Sequence, residues 1–137
     1  MRVIAGSLSG RKIEAPRSDS VRPTYDRVRE SVFAIIEPRL YDASVLDLFA
    51  GTGSLAIEAL SRGARRATMV EIDRGTARVA AANVERLGLA GRCRLRVGEA
   101  IQFLAGPFEE APFDIAFVDP PYQSGLVGPA LDARPLG

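Results

Sequence analysis

The sequence predicts a parallel, doubly wound α/β sheet, and three observations carry that prediction. Short apolar runs alternate with stretches of helical period from residue 44 onward. The apolar run at 45–48 breaks into the turn Gly51-Thr52-Gly53, and a helical pattern starts at once with Ser54. Acidic residues stand at or just past the ends of the apolar runs, namely Asp47, Glu71, Glu99 and Asp119. In an open parallel sheet, ligands bind beyond the C-terminal strand ends, where the strand order reverses. Four separate segments therefore converge on one edge.

Taken in order, residues 2–14 read as a β-hairpin around the loop Gly6 to Gly10, with Arg2, Arg11 and Lys12 clustered on it. Residues 15–23 hold Pro16 and Pro23 among polar residues and read as a linker. A helix is predicted over 25–37, with Thr24 as N-cap and Glu37-Pro38 as its stop. Val28, Val32, Ile35 and Ile36 form its apolar face, and Arg27 and Arg29 fit a solvated face as well as a functional one. Then come a strand at 44–48, the turn at 49–53 and a helix at 54–62 closed by Gly63. A second strand at 67–70 ends at Glu71, and a helix over 74–87 shows an Ala77, Ala80, Ala81, Val84, Leu87 stripe with Gly88 as its cap. Strand 93–97, a short helix at 100–104 and strand 113–118 complete the alternation. The last strand runs into Asp119-Pro120-Pro121-Tyr122. Tyr25 and Tyr41 read as packing residues.

Composition narrows the function. The 137 residues are enough for one domain with a core, and 26% charged residues is ordinary for a globular chain. With no histidine, Ser-His and Cys-His catalysis and His-ligated metal sites are excluded. A single cysteine, Cys93, rules out a disulfide framework. No apolar run has signal-peptide or membrane-span length, so the expected location is the cytoplasm, with no membrane and no metal. Residues 1–40 carry eight basic and five acidic side chains, a net of +3, whereas residues 91–137 carry four and six, a net of −2. The basic part suits a polyanion or a solvated arginine-rich face.

Gly51-x-Gly53-x-x-Ala56 with Glu71 twenty residues on satisfies a dinucleotide fingerprint and by itself permits NAD or FAD. Asp47 points elsewhere, because a carboxylate inside the strand suits a ligand with a cationic ammonium better than a pyrophosphate. Asp119-Pro-Pro-Tyr122 resembles the catalytic motif of S-adenosylmethionine-dependent amino-methyltransferases, and Asp47-Leu-Phe-Ala-Gly-Thr-Gly53 resembles their cofactor loop. Three longer stretches resemble the RsmD family, bacterial enzymes that methylate the N2 amine of a guanine in 16S ribosomal RNA. They are Arg2-Val-Ile-Ala-Gly with Gly10-Arg-Lys, Arg22-Pro-Thr-x-Asp-Arg-Val-Arg-Glu-Ser-Val-Phe33, and the segment from Asp47 to Ala64.

That resemblance implies a Rossmann-like class I methyltransferase fold, with S-adenosylmethionine as cofactor and 16S rRNA or the assembling 30S subunit as partner. It implies that Asp47, Phe49, Gly51 and Gly53 hold the methionine end, that Glu71 meets the ribose hydroxyls, and that Ile72 packs on the adenine. Glu99 and the Ala100 N–H would meet the adenine edge. Asp119 and the Pro120 carbonyl would accept the hydrogens of the target amine, whose lone pair is delocalised into its ring. Pro120 and Pro121 stiffen that loop and remove its N–H donors. Tyr122 would stack on a splayed-out base. Arg2, Arg11, Lys12, Arg17 and Arg22 are candidate phosphate contacts.

The family's sheet has seven strands, so the expectation is one domain over 1–137, made of a 1–40 extension and an incomplete 41–137 core. Strand 113–118 would be an open edge through which the chain self-associates. Three other readings stand beside the rRNA enzyme. A DNA amino-methyltransferase shares the Asp-Pro-Pro-Tyr logic. A nucleotide-binding oxidoreductase gives that motif no role. A non-catalytic cofactor- or RNA-binding remnant would have no methyl transfer to lose.

Overall fold

The computed structural model describes residues 1–15, 23–106 and 112–120. Arg17, Arg22, Pro121 and Tyr122 lie outside them. Helix α1 (Pro23–Leu40) is followed by β1 (Ser44–Asp47), α2 (Ser54–Ser61), β2 (Arg66–Glu71), α3 (Arg74–Arg86), β3 (Cys93–Val97), α4 (Ala100–Ala105) and β4 (Ile115–Phe117). The strands form one parallel sheet in the order β3-β2-β1-β4. The chain steps outward from β1 through β2 to β3, then returns to the other side of β1. The order therefore reverses between β1 and β4, the switch point of a doubly wound sheet.

Alternation along the strands makes two apolar layers. Val45, Ala67, Met69 and Phe117 face α1, α2 and α3, packing with Phe33, Leu40, Ile57, Leu60, Ala80 and Val84. Leu46, Leu48 and Val70 face the other way, onto Ala100 and Leu104 of α4 and Phe113. Every residue of β1 is buried. Asp47 is thereby carried, charge and all, into the middle of the sheet's C-terminal edge.

Several expected boundaries and faces are corrected. The expected hairpin over 2–14 is present but short: around one antiparallel bridge, Arg2 with Lys12, the Val3, Gly10 and Ile13 N–H groups donate to the Arg11, Val3 and Met1 carbonyls at 2.9, 2.8 and 2.8 Å. Past that pairing the chain turns to the core: the Ile4 and Ala5 N–H groups donate to Glu58 at 2.8 and 3.0 Å. The segment is an arm laid on the core, with Val3 and Ile13 buried. Helix α1 starts at Pro23, so Thr24 is not its N-cap, a start that suits proline's fixed φ and missing N–H. It also runs through Pro38 to Leu40, because a proline in the last turn forfeits one bond and buried Leu40 anchors the helix end.

Its buried face is Arg29, Phe33 and Leu40, while Val28 and Ile35 of the expected apolar face are 53% and 78% exposed. Tyr41, expected to pack, is 85% exposed. On α3, Asn83 is buried and Ala81 is exposed. Strand β4 is shorter than expected because Asp114 closes its start: the Asp114 N–H donates to the Ser44 carbonyl, and its carboxylate accepts from the Ser44 N–H, both at 2.8 Å.

Candidate active site at the C-terminal edge of the sheet

Asp47 ends β1 with a fully buried side chain, and neither carboxylate oxygen has a hydrogen-bond partner among the described residues. Burial pushes its pKa up to about 7, and the negative charges of Asp119 and Glu71 push in the same direction. The Phe49 backbone N–H works the other way, although it completes no hydrogen bond of normal geometry with either oxygen. A buried carboxylate without a partner is a strained arrangement that a cation relieves.

The turn after β1 is shaped for close approach. Gly51 and Gly53 have φ of 59° and 94°, the left-handed region that a side chain disfavours. A Cβ on Gly51 would project into open space. A Cβ on Gly53 would press on Met69 Sδ at 3.2 Å and Ile57 Cδ1 at 3.3 Å. Gly53 is also the N-cap of α2 and brings no capping side chain. The first amides of that helix thus face the edge. Phe49 is half-buried against the α4-side core.

Glu71 ends β2 and braces the turn. One oxygen accepts from the Gly51 N–H and the other from the Asp73 N–H, both at 2.9 Å. Each retains a second lone pair for a ligand hydroxyl. Asp73 caps α3 through the Thr76 N–H and hydroxyl, which hold its pKa below the usual carboxylate value. Ile72, between the two acids, is 64% exposed, an apolar side chain left bare at the rim of the site. Glu99 is tied down as the N-cap of α4, accepting from the Ile101 and Gln102 N–H groups at 2.9 and 3.2 Å. It lies beyond β3, two strands from the switch point, with Ala100 buried behind it. Asp119 is exposed just past β4 and Pro120 is half-buried. Asp47, Glu71 and Asp119 are thus brought within electrostatic reach of one another, and Glu99 stands apart. No group of His, Cys, Asp and Glu among the described residues is arranged to hold a metal.

Arg2, Arg11 and Lys12 are exposed on the arm. Arg2 donates to the Gly10 carbonyl, and Lys12 pairs loosely with Glu14 at 3.4 Å. Sequence reasoning missed three buried polar side chains behind the site. Glu58 on α2 accepts from Ile4, Ala5 and Arg62 Nε and pairs with Arg29 at 3.6 Å. Arg29 also donates to the Arg2 carbonyl at 2.8 Å, so it is an internal strut rather than a surface charge. Asn83 joins the arm to the glycine turn. The only signal in the sequence was a polar residue at an apolar position of the helical period. A shallow depression of about 400 Å³ lies at the far end of α2, lined by Ser7, Tyr41, Ser61 and Arg62. It touches none of the three carboxylates, and Arg62 is already bonded to Glu58 and Glu37.

A parallel sheet of this order, with an acid ending β1, a glycine turn into α2 and a second acid ending β2, is the class I S-adenosylmethionine-dependent methyltransferase fold. The chain belongs to the family described as Conserved hypothetical protein 95, whose sequence model matches residues 1–133. It is 44% identical over 127 residues to the Escherichia coli protein named Ribosomal RNA small subunit methyltransferase D, an alignment covering 93% of this chain and 63% of that protein. The protein of the same name from Haemophilus influenzae is 38% identical over 136 residues, covering 96% of this chain and 68% of its own length. Among solved structures, the putative methyltransferase yhhF from Escherichia coli superposes with a TM-score of 0.87 at 42% identity, over 97% of this chain and 71% of that one. The chain thus spans about two thirds of the length of these relatives.

Proposed function

We propose that this chain carries the cofactor site and target-amine motif of an S-adenosylmethionine-dependent enzyme that methylates the exocyclic N2 amine of a guanine in small-subunit ribosomal RNA. The observation that carries the reading is the buried Asp47 carboxylate, unpartnered at the switch point beside Asp119 and Glu71. It fits a ligand whose amino acid end brings an ammonium into that spot. The names of the relatives, rRNA methyltransferases of the small subunit, supply the substrate class.

S-adenosylmethionine brings an already activated methyl on a sulfonium, so the protein's part is to bind, orient and accept hydrogen bonds. Asp47 would hold the ammonium, and Gly51, Gly53, the first amides of α2 and Phe49 would hold the rest of the methionine end. Glu71, fixed by the Gly51 and Asp73 amides, turns its remaining lone pairs to the ribose hydroxyls. Ile72 would pack on the adenine, and Glu99 and the Ala100 N–H would hold its edge. The Asp119 carboxylate and the Pro120 carbonyl would accept hydrogen bonds from the two hydrogens of the guanine amine and so orient its lone pair for methylation. Pro121 and Tyr122 complete that motif, the tyrosine stacking on the base. Arg2, Arg11, Lys12 and Arg22 bind backbone phosphates of the RNA, free or in the assembling 30S particle.

The test is transfer of labelled methyl from S-adenosylmethionine to undermethylated 16S RNA or 30S particles, with mapping of the product. Label on a guanine N2, reduced about a hundredfold or more by Asp119→Ala, is the expected result. Cofactor binding without transfer would replace this reading with that of a binding remnant. Label on DNA would replace the substrate.

A further inference from the structure

We infer that Asn83 is a positioning residue that holds the Gly51–Gly53 turn in its ligand-binding shape and joins that shape to the seated N-terminal arm. The inference rests on the reading of that turn as the S-adenosylmethionine site. Asn83 lies in α3 with no exposed surface. Its Oδ1 accepts from the Glu14 N–H at 2.9 Å, and its Nδ2 donates to the Glu14 carbonyl and to the Thr52 carbonyl, each at 3.0 Å. Both amide hydrogens are used, one on the arm and one on the turn. The orientation is forced by the partners: flipped, the amide would face an N–H with its nitrogen and two carbonyls with its oxygen.

Thr52 is the residue between the two glycines, whose left-handed φ values leave the turn few restraints of its own. Among the described residues four bonds bear on its shape, one of them the first bond of α2, from the Ile57 N–H to the Gly53 carbonyl at 2.8 Å. Glu71 holds the Gly51 amide, the Ala50 carbonyl takes the Gly53 amide at 2.9 Å, and Asn83 holds the Thr52 carbonyl. Of these, only the Asn83 bond comes from a side chain that also grips the arm. Asn83 is fully buried and Thr52 partly so, and truncating the Asn83 side chain takes from the turn the one bond that ties its middle carbonyl to the arm. The arm has a second buried anchor that does not reach the turn. Ser61 Oγ donates to the Ala5 carbonyl at 2.7 Å and accepts from the Leu8 N–H at 2.9 Å.

The two anchors make the test. Binding of S-adenosylhomocysteine is measured by calorimetry on the chain as it stands, on Asn83→Ala and on Ser61→Ala. Asn83→Ala is expected to weaken binding about tenfold, and Ser61→Ala by less than about twofold, though both loosen the arm. Equal effects would make Asn83 a structural anchor only and overturn the inference. Should Asn83→Ala fail to fold, amide exchange on the unaltered chain decides. Adding S-adenosylhomocysteine should slow exchange of the Glu14 amide more than that of Leu8, and no difference between them overturns the inference. Failure of the unaltered chain to bind S-adenosylhomocysteine would instead take down the reading of the turn itself, and this inference with it.

Discussion

Whenever the Asp47 carboxylate ionises without a ligand, the fold bears the cost of an unpaired buried charge. Its folded pKa is about 7 against an ordinary 3.8. A raised carboxylate pKa means that the folded state holds its proton more tightly than the unfolded chain does. Stability therefore falls as pH rises from about 4 to about 7 and is level above, by on the order of 4 kcal/mol. Asp47→Asn removes that cost, and thermal unfolding at about pH 8 should show the ligand-free variant more stable than the parent. The same substitution should abolish most affinity for S-adenosylhomocysteine, the trade of stability for function expected at a site. Binding should also depend on pH with the opposite slope. Below about pH 7 an ammonium ligand must displace the Asp47 proton, so affinity should rise nearly tenfold per unit toward neutrality and then level. Calorimetry across that range should show the rise in the parent chain and none in Asp47→Asn. A pH-independent parent would mean that no cation meets this carboxylate.

At the scale of elements, the glycine turn makes a contrast between its two glycines. Both need φ in the left-handed region, which costs an alanine about 1–2 kcal/mol. At Gly53 the new Cβ also meets Met69 and Ile57, so Gly53→Ala should lower the melting temperature more. At Gly51 the Cβ enters open space, so Gly51→Ala should weaken S-adenosylhomocysteine binding well beyond its effect on stability. Denaturation and calorimetry on the same two variants separate the terms. Helices α1 and α2 meet through Glu58, whose loss leaves the buried Arg29 guanidinium, among the described residues, with only the Asp26 carboxylate at 3.4 Å and the Arg2 carbonyl, and strands the Ile4 and Ala5 N–H groups. Glu58→Ala should cost about 3–5 kcal/mol by denaturant titration, far above the effect of a surface ion pair. These elements also mark what could be read beforehand. The turn, strands β1 to β3 and helices α2 to α4 were legible because glycine chemistry, alternation and helical period are local. The buried side of α1 was not. Its period favoured Val28 and Ile35, but Arg29 turns inward because its partner Glu58 arrives from another element.

Across the whole molecule the same division holds. Asp47, Glu71 and Asp119 were legible as one cluster because a parallel sheet gathers strand ends by topology. Glu99 stands at the same C-terminal edge, past β3, where it caps α4 two strands from the switch point, and that distance follows from a strand order that no local pattern encodes. The hairpin was legible from its glycine-bounded loop, but its seat was not: the Ile4, Ala5 and Glu14 amides are satisfied by Glu58 and Asn83, which arrive from distant parts of the chain. That placement bears on RNA. The arm runs from Ser61 at the end of α2 back to the glycine turn, where Glu14 is one side chain from Thr52. Its exposed charges, Arg11 and Lys12, come three and two residues before Glu14 on that arm, while Arg29 is buried. Phosphate contacts release counterions, so each one adds about one unit to the slope of log affinity against log salt. Reversing both, Arg11→Glu with Lys12→Glu, should weaken RNA binding and lower that slope by about two units. S-adenosylhomocysteine binding should stay within about twofold, because the arm grips the turn through the Glu14 backbone and neither side chain reaches it. Filter binding across a salt series decides the matter: an unchanged slope would remove the arm from the RNA interface and leave it a purely structural part of the core.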